Sequence, residues 1–137
     1  MEKEYSCGAI LYCYENNERK YVLVMEPSGT YGFPKGHKEG NETDLETATR
    51  EIKEETGVDP TFIPNLKRTI RYGLANGATK EVIFFAAKYN NQELAPNDKN
   101  ILAIKKYDLK TALRMLKFKE LKNILIEMDY IIESKGE

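Results

Sequence analysis

Gly29, Gly32, Pro34, Gly36 and Gly40 crowd one short segment of the chain. Glycine supplies positive φ and close backbone approach, and proline fixes φ and removes a donor, so this density specifies a shaped loop rather than a helix or a long strand. Immediately after it, Thr43-Asp44-Leu45-Glu46 has the form of a capping box. Gly57 sits where a left-handed residue would close the helix that starts there. Leu45, Ala48, Thr49 and Ile52 recur at the spacing of one helical face and form its expected core stripe. Whatever the rest of the chain does, it must support a shaped loop that feeds a capped helix.

The flanking sequence reads mainly as strands. Apolar and β-branched residues dominate 6–14 and 20–25, and the polar turn Glu15-Asn16-Asn17-Glu18 joins them as a hairpin. Residues 61–72 and 80–89 are expected to pair across Asn76-Gly77, a strong hairpin signal, and 101–107 should add another strand. Two helices close the chain, one from the N-cap Asp108 through Leu116 and one from about Lys119 to Ile132. With 137 residues, no internal repeat and no linker, the expectation is one domain over 1–137, a mixed β-sheet with helices packed on it.

Composition narrows the function classes. Hydrophobic residues make up 41% and charged residues 31%, and no apolar stretch approaches a bilayer span, so no membrane partner is expected. The charged opening Glu2-Lys3-Glu4 lacks the layout of a secretory signal, which implies a cytoplasmic protein. Cys7 and Cys13 match neither a zinc site nor a redox pair and are read as buried free thiols. A net charge of −1 argues against a long nucleic acid as the main partner. Charge is uneven, however: Lys105, Lys106, Lys110, Arg114, Lys117, Lys119 and Lys122 face only Asp108 and Glu120 in that stretch. This is either a solvated face or a patch that attracts a polyanionic small molecule.

The helix after the loop carries the chemistry. Glu51, Glu54 and Glu55 stand at i, i+3 and i+4, so all three carboxylates project from one side. Like charges so placed repel by a few tenths of a kcal/mol, roughly, per pair, and hard divalent cations such as Mg²⁺ or Mn²⁺ would compensate. An isolated set of this kind is usually just an acidic helix face. Here Gly36 is followed, after five residues, by Glu42, then after seven by Arg50-Glu51-Ile52, and then by Glu54-Glu55 and Gly57-Val58. These residues form the complete signature of the Nudix hydrolases, G-x5-E-x7-R-E-U-x-E-E-x-G-U with U aliphatic, and the chain strongly resembles that superfamily. Its seven fixed letters would coincide by chance on the order of 10⁻⁸ to 10⁻⁹ per starting position.

The resemblance implies an α+β, α-β-α sandwich, with the signature loop and helix and the C-terminal helices packed on a mixed sheet. It implies a metal site made by the Gly36 carbonyl, Glu51, Glu54 and Glu55, holding Mg²⁺ or Mn²⁺ as more than one ion, and an ion pair between Glu42 and Arg50. Glu54 is the expected general base, with Glu51 second. A further acidic ligand is expected from the loop before the last strand, where Asn100 falls by spacing and Asp98 lies nearby.

The loop Tyr31-Gly32-Phe33-Pro34-Lys35-Gly36-His37 is similar to that of the asymmetric dinucleoside tetraphosphate hydrolases, with Tyr31 in place of the usual Trp. That implies phosphate contacts from Lys35 and His37. Further resemblance in Tyr72, in Lys80 opening the strand Val82-Ile83-Phe84-Phe85, and in Phe118-Lys119-Glu120-Leu121-Lys122 implies a polyphosphate contact from Lys80, with Lys119 in the same binding group. It also implies stacking of an adenine between Tyr72 and Phe118, although Phe118 read alone is equally a core residue. Hydrolysis of diadenosine tetraphosphate to ATP and AMP is therefore the expected activity, with a nucleotide as the small-molecule partner. The alternatives are an RNA 5′ pyrophosphohydrolase, a diphosphoinositol polyphosphate phosphohydrolase, and a nucleotide-sensing module without turnover. Oligomeric state is not legible.

Overall fold

The computed structural model describes residues 3–137, so Glu2 of the charged opening lies outside the described residues. In chain order the elements are β1 (Lys3–Glu15), β2 (Glu18–Met25), β3 (Tyr31–Gly32), β4 (Lys35–His37), α1 (Asp44–Thr56), β5 (Thr61–Gly73), β6 (Thr79–Lys88), β7 (Ala103–Tyr107), α2 (Leu109–Met115) and α3 (Lys119–Lys135).

β1 is the hub of a seven-stranded mixed sheet. On one edge its second half pairs antiparallel with β2 and its first half antiparallel with β4; on the other edge it runs parallel to β6. β6 pairs antiparallel with β5, while β3 and β7 both pair with β2. A strand covered on both edges and both faces reads as a nearly continuous apolar run, which explains Cys7 to Cys13. Period-two alternation then divides that run. Ile10 and Tyr12 enter a core with Tyr21, Leu23, Phe84, the α2 C-cap Leu116 and the α3 residues Leu125 and Met128. Ala9, Leu11 and Cys13 enter another with Val22, Ala87 and the α1 residues Ala48 and Ile52. Helices thus cover both faces, in the expected α-β-α sandwich. Full burial of a side chain such as Ile10 or Leu11 stabilises by roughly 1.5–3 kcal/mol.

Four expectations need correction. The buried rows of α1 are Thr47, Glu51, Glu55 and Ala48, Ile52, Thr56, whereas Leu45 and Thr49 are exposed. The helix is rolled so that two of its carboxylates face the protein, because it packs on both β1 and the β4 edge of the loop. The glycine-rich loop contains the short strands β3 and β4, since its extended pieces find free edges of β2 and β1. β7 begins at Ala103 rather than Ile101, whose backbone N–H instead bonds the Asp98 carbonyl. Finally, α3 runs on to Lys135, where Gly136 at φ 70° caps it.

Both cysteines are free and buried. Burial, with Asp44 alongside, pushes the Cys7 thiol up to about 12. α3 is held to the sheet by Arg19, which donates to Asp129 at 2.9 Å and to Glu133, and by the Tyr21 hydroxyl, which donates to Asp129 at 2.6 Å. Among the described residues no helix is long and apolar enough to cross a membrane.

Candidate active site

The local sequence assembles the acidic half of the site. Thr43 Oγ1 accepts from the Glu46 amide while Glu46 Oε1 accepts from the Thr43 amide, so the capping box fixes where α1 starts. At its other end Gly57, at φ 81°, closes the helix. The last carbonyls of α1 lack intrahelical donors, and the segment before β7 supplies them: Ala95 N–H bonds Thr56 O and Asn97 N–H bonds Glu54 O, both at 2.8 Å. Those bonds bring Asp98 near enough to Glu51 for its charge to be felt there, whereas Asn100 is exposed and donates its amide to Asp98.

β4 is short, yet its alternation sorts the loop residues onto two sides. Gly36 faces α1, and a Cβ there would overlap the Glu51 carboxyl group, so only glycine permits this approach. Lys35 and His37 point to the opposite face. The Lys35 amide donates to Glu55 Oε1 at 3.0 Å, which ties the loop edge to the helix.

Arg50 is the cation at the centre. Its guanidinium grips Glu42 with two hydrogen bonds of 2.7 and 3.0 Å, donates to Glu51 Oε1 at 2.7 Å and to the His37 carbonyl at 2.9 Å, and reaches Glu54 at 3.4 Å. Arg50 first of all, with the Glu39 amide, holds Glu42 down at about 2. The other acids behave oppositely. Burial pushes Glu55 up to about 8 despite the Lys35 amide, and burial also raises Glu51 despite Arg50. Glu54 is the more exposed of the three, its side chain 45% accessible.

As they stand, no three His, Cys, Asp or Glu side chains among the described residues converge on one point. Glu51 and Glu54 turn to Arg50, and Glu55 to the loop amide, because carboxylates that repel one another settle on the available donors. The residues nonetheless fit a hard divalent cation. Two buried carboxylates are held above their ordinary range by burial, which a bound cation would offset, the loop backbone at Gly36 lies against one of them, and every donor is oxygen.

The second half of the site lies on the sheet face that carries α2 and α3. Tyr72 pairs with Lys80, and Lys80 with Glu4 on β1, so their side chains share that face. Lys80 Nζ meets His37 Nε2 at 3.1 Å, and burial, followed by the charge of Lys35, lowers the Lys80 ammonium. Tyr72 is 43% exposed. Phe118 is 50% exposed at the N-terminus of α3 with the Lys117 ammonium 5.8 Å from its ring centre, so it is not a core residue; Leu116 and Leu121 fill that role. Lys119 is exposed in the first turn of α3.

Two acids of this face escaped the sequence reading. Glu26, just beyond β2, accepts from Lys35 Nζ at 3.1 Å, and Glu4 lies 3.5 Å from His37. No motif carries either residue. Only the strand order of the sheet brings them to Lys35 and His37.

Four likenesses to known proteins accord with this geometry. The family model described as NUDIX domain matches residues 6–128. The mouse bis(5′-nucleosyl)-tetraphosphatase [asymmetrical] is 31% identical over 135 residues, covering 89% of this chain and 90% of the mouse protein. Among solved structures, a C. elegans Ap4A hydrolase binary complex superposes with a TM-score of 0.89 at 23% identity, covering 96% of this chain and 98% of that one. The NUDIX domain of Shewanella oneidensis NrtR complexed with ADP ribose gives 0.82 at 20% identity, covering 96% and 90%.

Proposed function

The chain belongs to the Nudix family, and on that premise we propose that it hydrolyses dinucleoside polyphosphates asymmetrically, converting diadenosine tetraphosphate and water to ATP and AMP in the cytoplasm. The observation that carries the reading is the division made by β4, with Gly36 turned to the carboxylates of α1 and Lys35 and His37 turned to Lys80 and the face of Tyr72. A dinucleoside polyphosphate has many anionic oxygens and two terminal bases, and it needs both sides. The likeness to the mouse tetraphosphatase supports this substrate class.

Gly36, through its carbonyl, together with Glu51, Glu54 and Glu55, would hold Mg²⁺ or Mn²⁺, as more than one ion. When bound, such ions supply Lewis acidity that draws charge from phosphate oxygens and acidifies the attacking water. The remaining steps belong to side chains. Glu54, the more solvent-open of the three acids, takes a proton from the water as its oxygen bonds to phosphorus and the bridging P–O bond breaks. Arg50 is a positioning residue that holds Glu51 and, through Glu42 and the His37 carbonyl, the loop. Lys35, His37 and Lys80 bind the phosphates, and Lys119 adds charge at the rim. Tyr72 and Phe118, both exposed, stack an adenine for about 1–3 kcal/mol.

A second reading is favoured by the exposed cations Lys105, Lys110, Arg114 and Lys117, which suit a diphosphoinositol phosphate. Steady-state kinetics on diadenosine tetraphosphate, 5′-triphosphorylated RNA and a diphosphoinositol phosphate separate the readings. The dinucleotide should give the highest kcat/KM; preference for the inositol compound would replace the first reading with the second.

A further inference from the structure

Ser6 is 1% exposed, and its hydroxyl has no hydrogen-bond partner among the described residues. A buried hydroxyl left unpaired costs free energy and is uncommon in folded proteins. The Tyr89 hydroxyl is in a similar position, but it lies beside the Cys13 thiol in the core under α1. Ser6 lies elsewhere. Its register partners are His37 on β4 and Val82 on β6, and its same-side neighbours along β1 are Glu4, paired with Lys80, and Gly8, paired with Lys35. Residues paired across strands point to the same face, so Ser6 stands on the strand between Lys35, His37 and Lys80.

Beside it, the Pro34 carbonyl and the Lys35 side chain fill the space that a Cβ at Gly8 would need, so glycine lets the base of Lys35 lie directly on β1 two residues from Ser6. Above, His37 Nε2 and Lys80 Nζ touch at 3.1 Å, and the His37 side chain is 64% exposed. The acids that face this group are Glu4, 3.5 Å from His37, and Glu26, 3.1 Å from Lys35. A polyanion that drew the two basic tips onto its own oxygens would separate them and open the way to the hydroxyl.

We infer that Ser6 is a phosphate-binding residue whose hydroxyl donates to a non-bridging oxygen of the polyphosphate that enters between His37 and Lys80. The role rests on the polyphosphate chemistry proposed above but is independent of the base. It explains why a hydroxyl occupies a buried position with no partner, since its acceptor arrives with the ligand. A hydroxyl also adds a short, directed donor that discriminates among oxygen positions, which long lysine side chains do poorly.

Ser6→Ala tests it, with Ser6→Cys as a nearly isosteric variant that donates weakly. Calorimetric titration with inorganic tripolyphosphate in MgCl₂ reads the phosphate contact without a base, and Tm reads the fold. The expected pair of results is a Tm no lower than wild type, because no protein bond is lost, and a Kd raised roughly 10-fold, the loss of one hydrogen bond to a charged group. An unchanged Kd in both variants overturns the inference. A lowered Tm with weakened binding also overturns it, by making Ser6 structural. If the wild type binds no tripolyphosphate, Ser6's role and the proposed function fall together. If binding depends on Ser6 but diadenosine tetraphosphate is not cleaved, the Ser6 assignment stands and the proposed substrate falls.

Discussion

The two faces of the sheet reach their chemistry by different routes. On the α1 face, Glu42, Arg50, Glu51, Glu54 and Glu55 come from one loop and one helix, and a single guanidinium organises most of them through bonds of 2.7–3.4 Å. On the α2/α3 face, Glu4, Lys35, His37, Tyr72, Lys80 and Phe118 come from β1, β4, β5, β6 and the start of α3, and their sequence neighbours say little about one another. The contiguous half is suited to a fixed reaction, because its geometry is set within one loop and one capped helix. The dispersed half can change one residue at a time without disturbing the first, as expected of specificity.

The division of labour has measurable consequences. Removal of divalent metal with excess chelator should abolish turnover, and Mg²⁺ or Mn²⁺ should restore it, because the acids of α1 have no other electrophile to work with. Full activity in chelator would take away the role assigned to that face. Within it, Glu54→Gln should lower kcat by ~10²-fold or more with KM little changed, as for a group acting on the water in the transition state. A crippled Glu51→Gln beside a nearly normal Glu54→Gln would move the base to Glu51.

The opposite face should respond in the other kinetic constant. On the proposed roles, Tyr72→Ala and Phe118→Ala would remove stacking that acts on ground and transition states alike, so KM should rise roughly 10-fold while kcat is largely kept. Both side chains are exposed, so Tm should hardly move. Well-folded variants with an unchanged KM would remove the adenine clamp.

The smallest effect concerns pH. Glu42 is held at about 2, below its ordinary 4.5, by Arg50, so the ionised form favours the folded state. That contribution is present above pH 4.5 and is lost as pH falls toward 2. Tm of the wild type should therefore drop over this window more steeply than that of Glu42→Gln, and parallel curves would mean that the Glu42–Arg50 pair contributes nothing to stability.

Legibility followed the same division. The capping box, Gly57, the Asn76-Gly77 hairpin and the two C-terminal helices were readable because each depends on residues within a few positions of one another. The rolled face of α1 was not, since hydrophobic spacing cannot foresee that Glu51 and Glu55 would be buried and Leu45 left out. Nor was the parallel pairing of β1 with β6, which alone brings Glu4 beside Lys80. Glu26 shows the limit most plainly: nothing around Met25-Glu26-Pro27 distinguishes it, and its contact with Lys35 exists only in the folded sheet.

The most direct test of the proposed activity is chromatographic analysis of the products formed from diadenosine tetraphosphate with Mg²⁺ present. Attack assisted by the α1 face while the opposite face holds one adenine should yield ATP and AMP in equal amounts, with no ADP at early times and no product in chelator. ADP as the sole product, or an intact dinucleotide after prolonged incubation with folded, metal-loaded protein, would contradict the account.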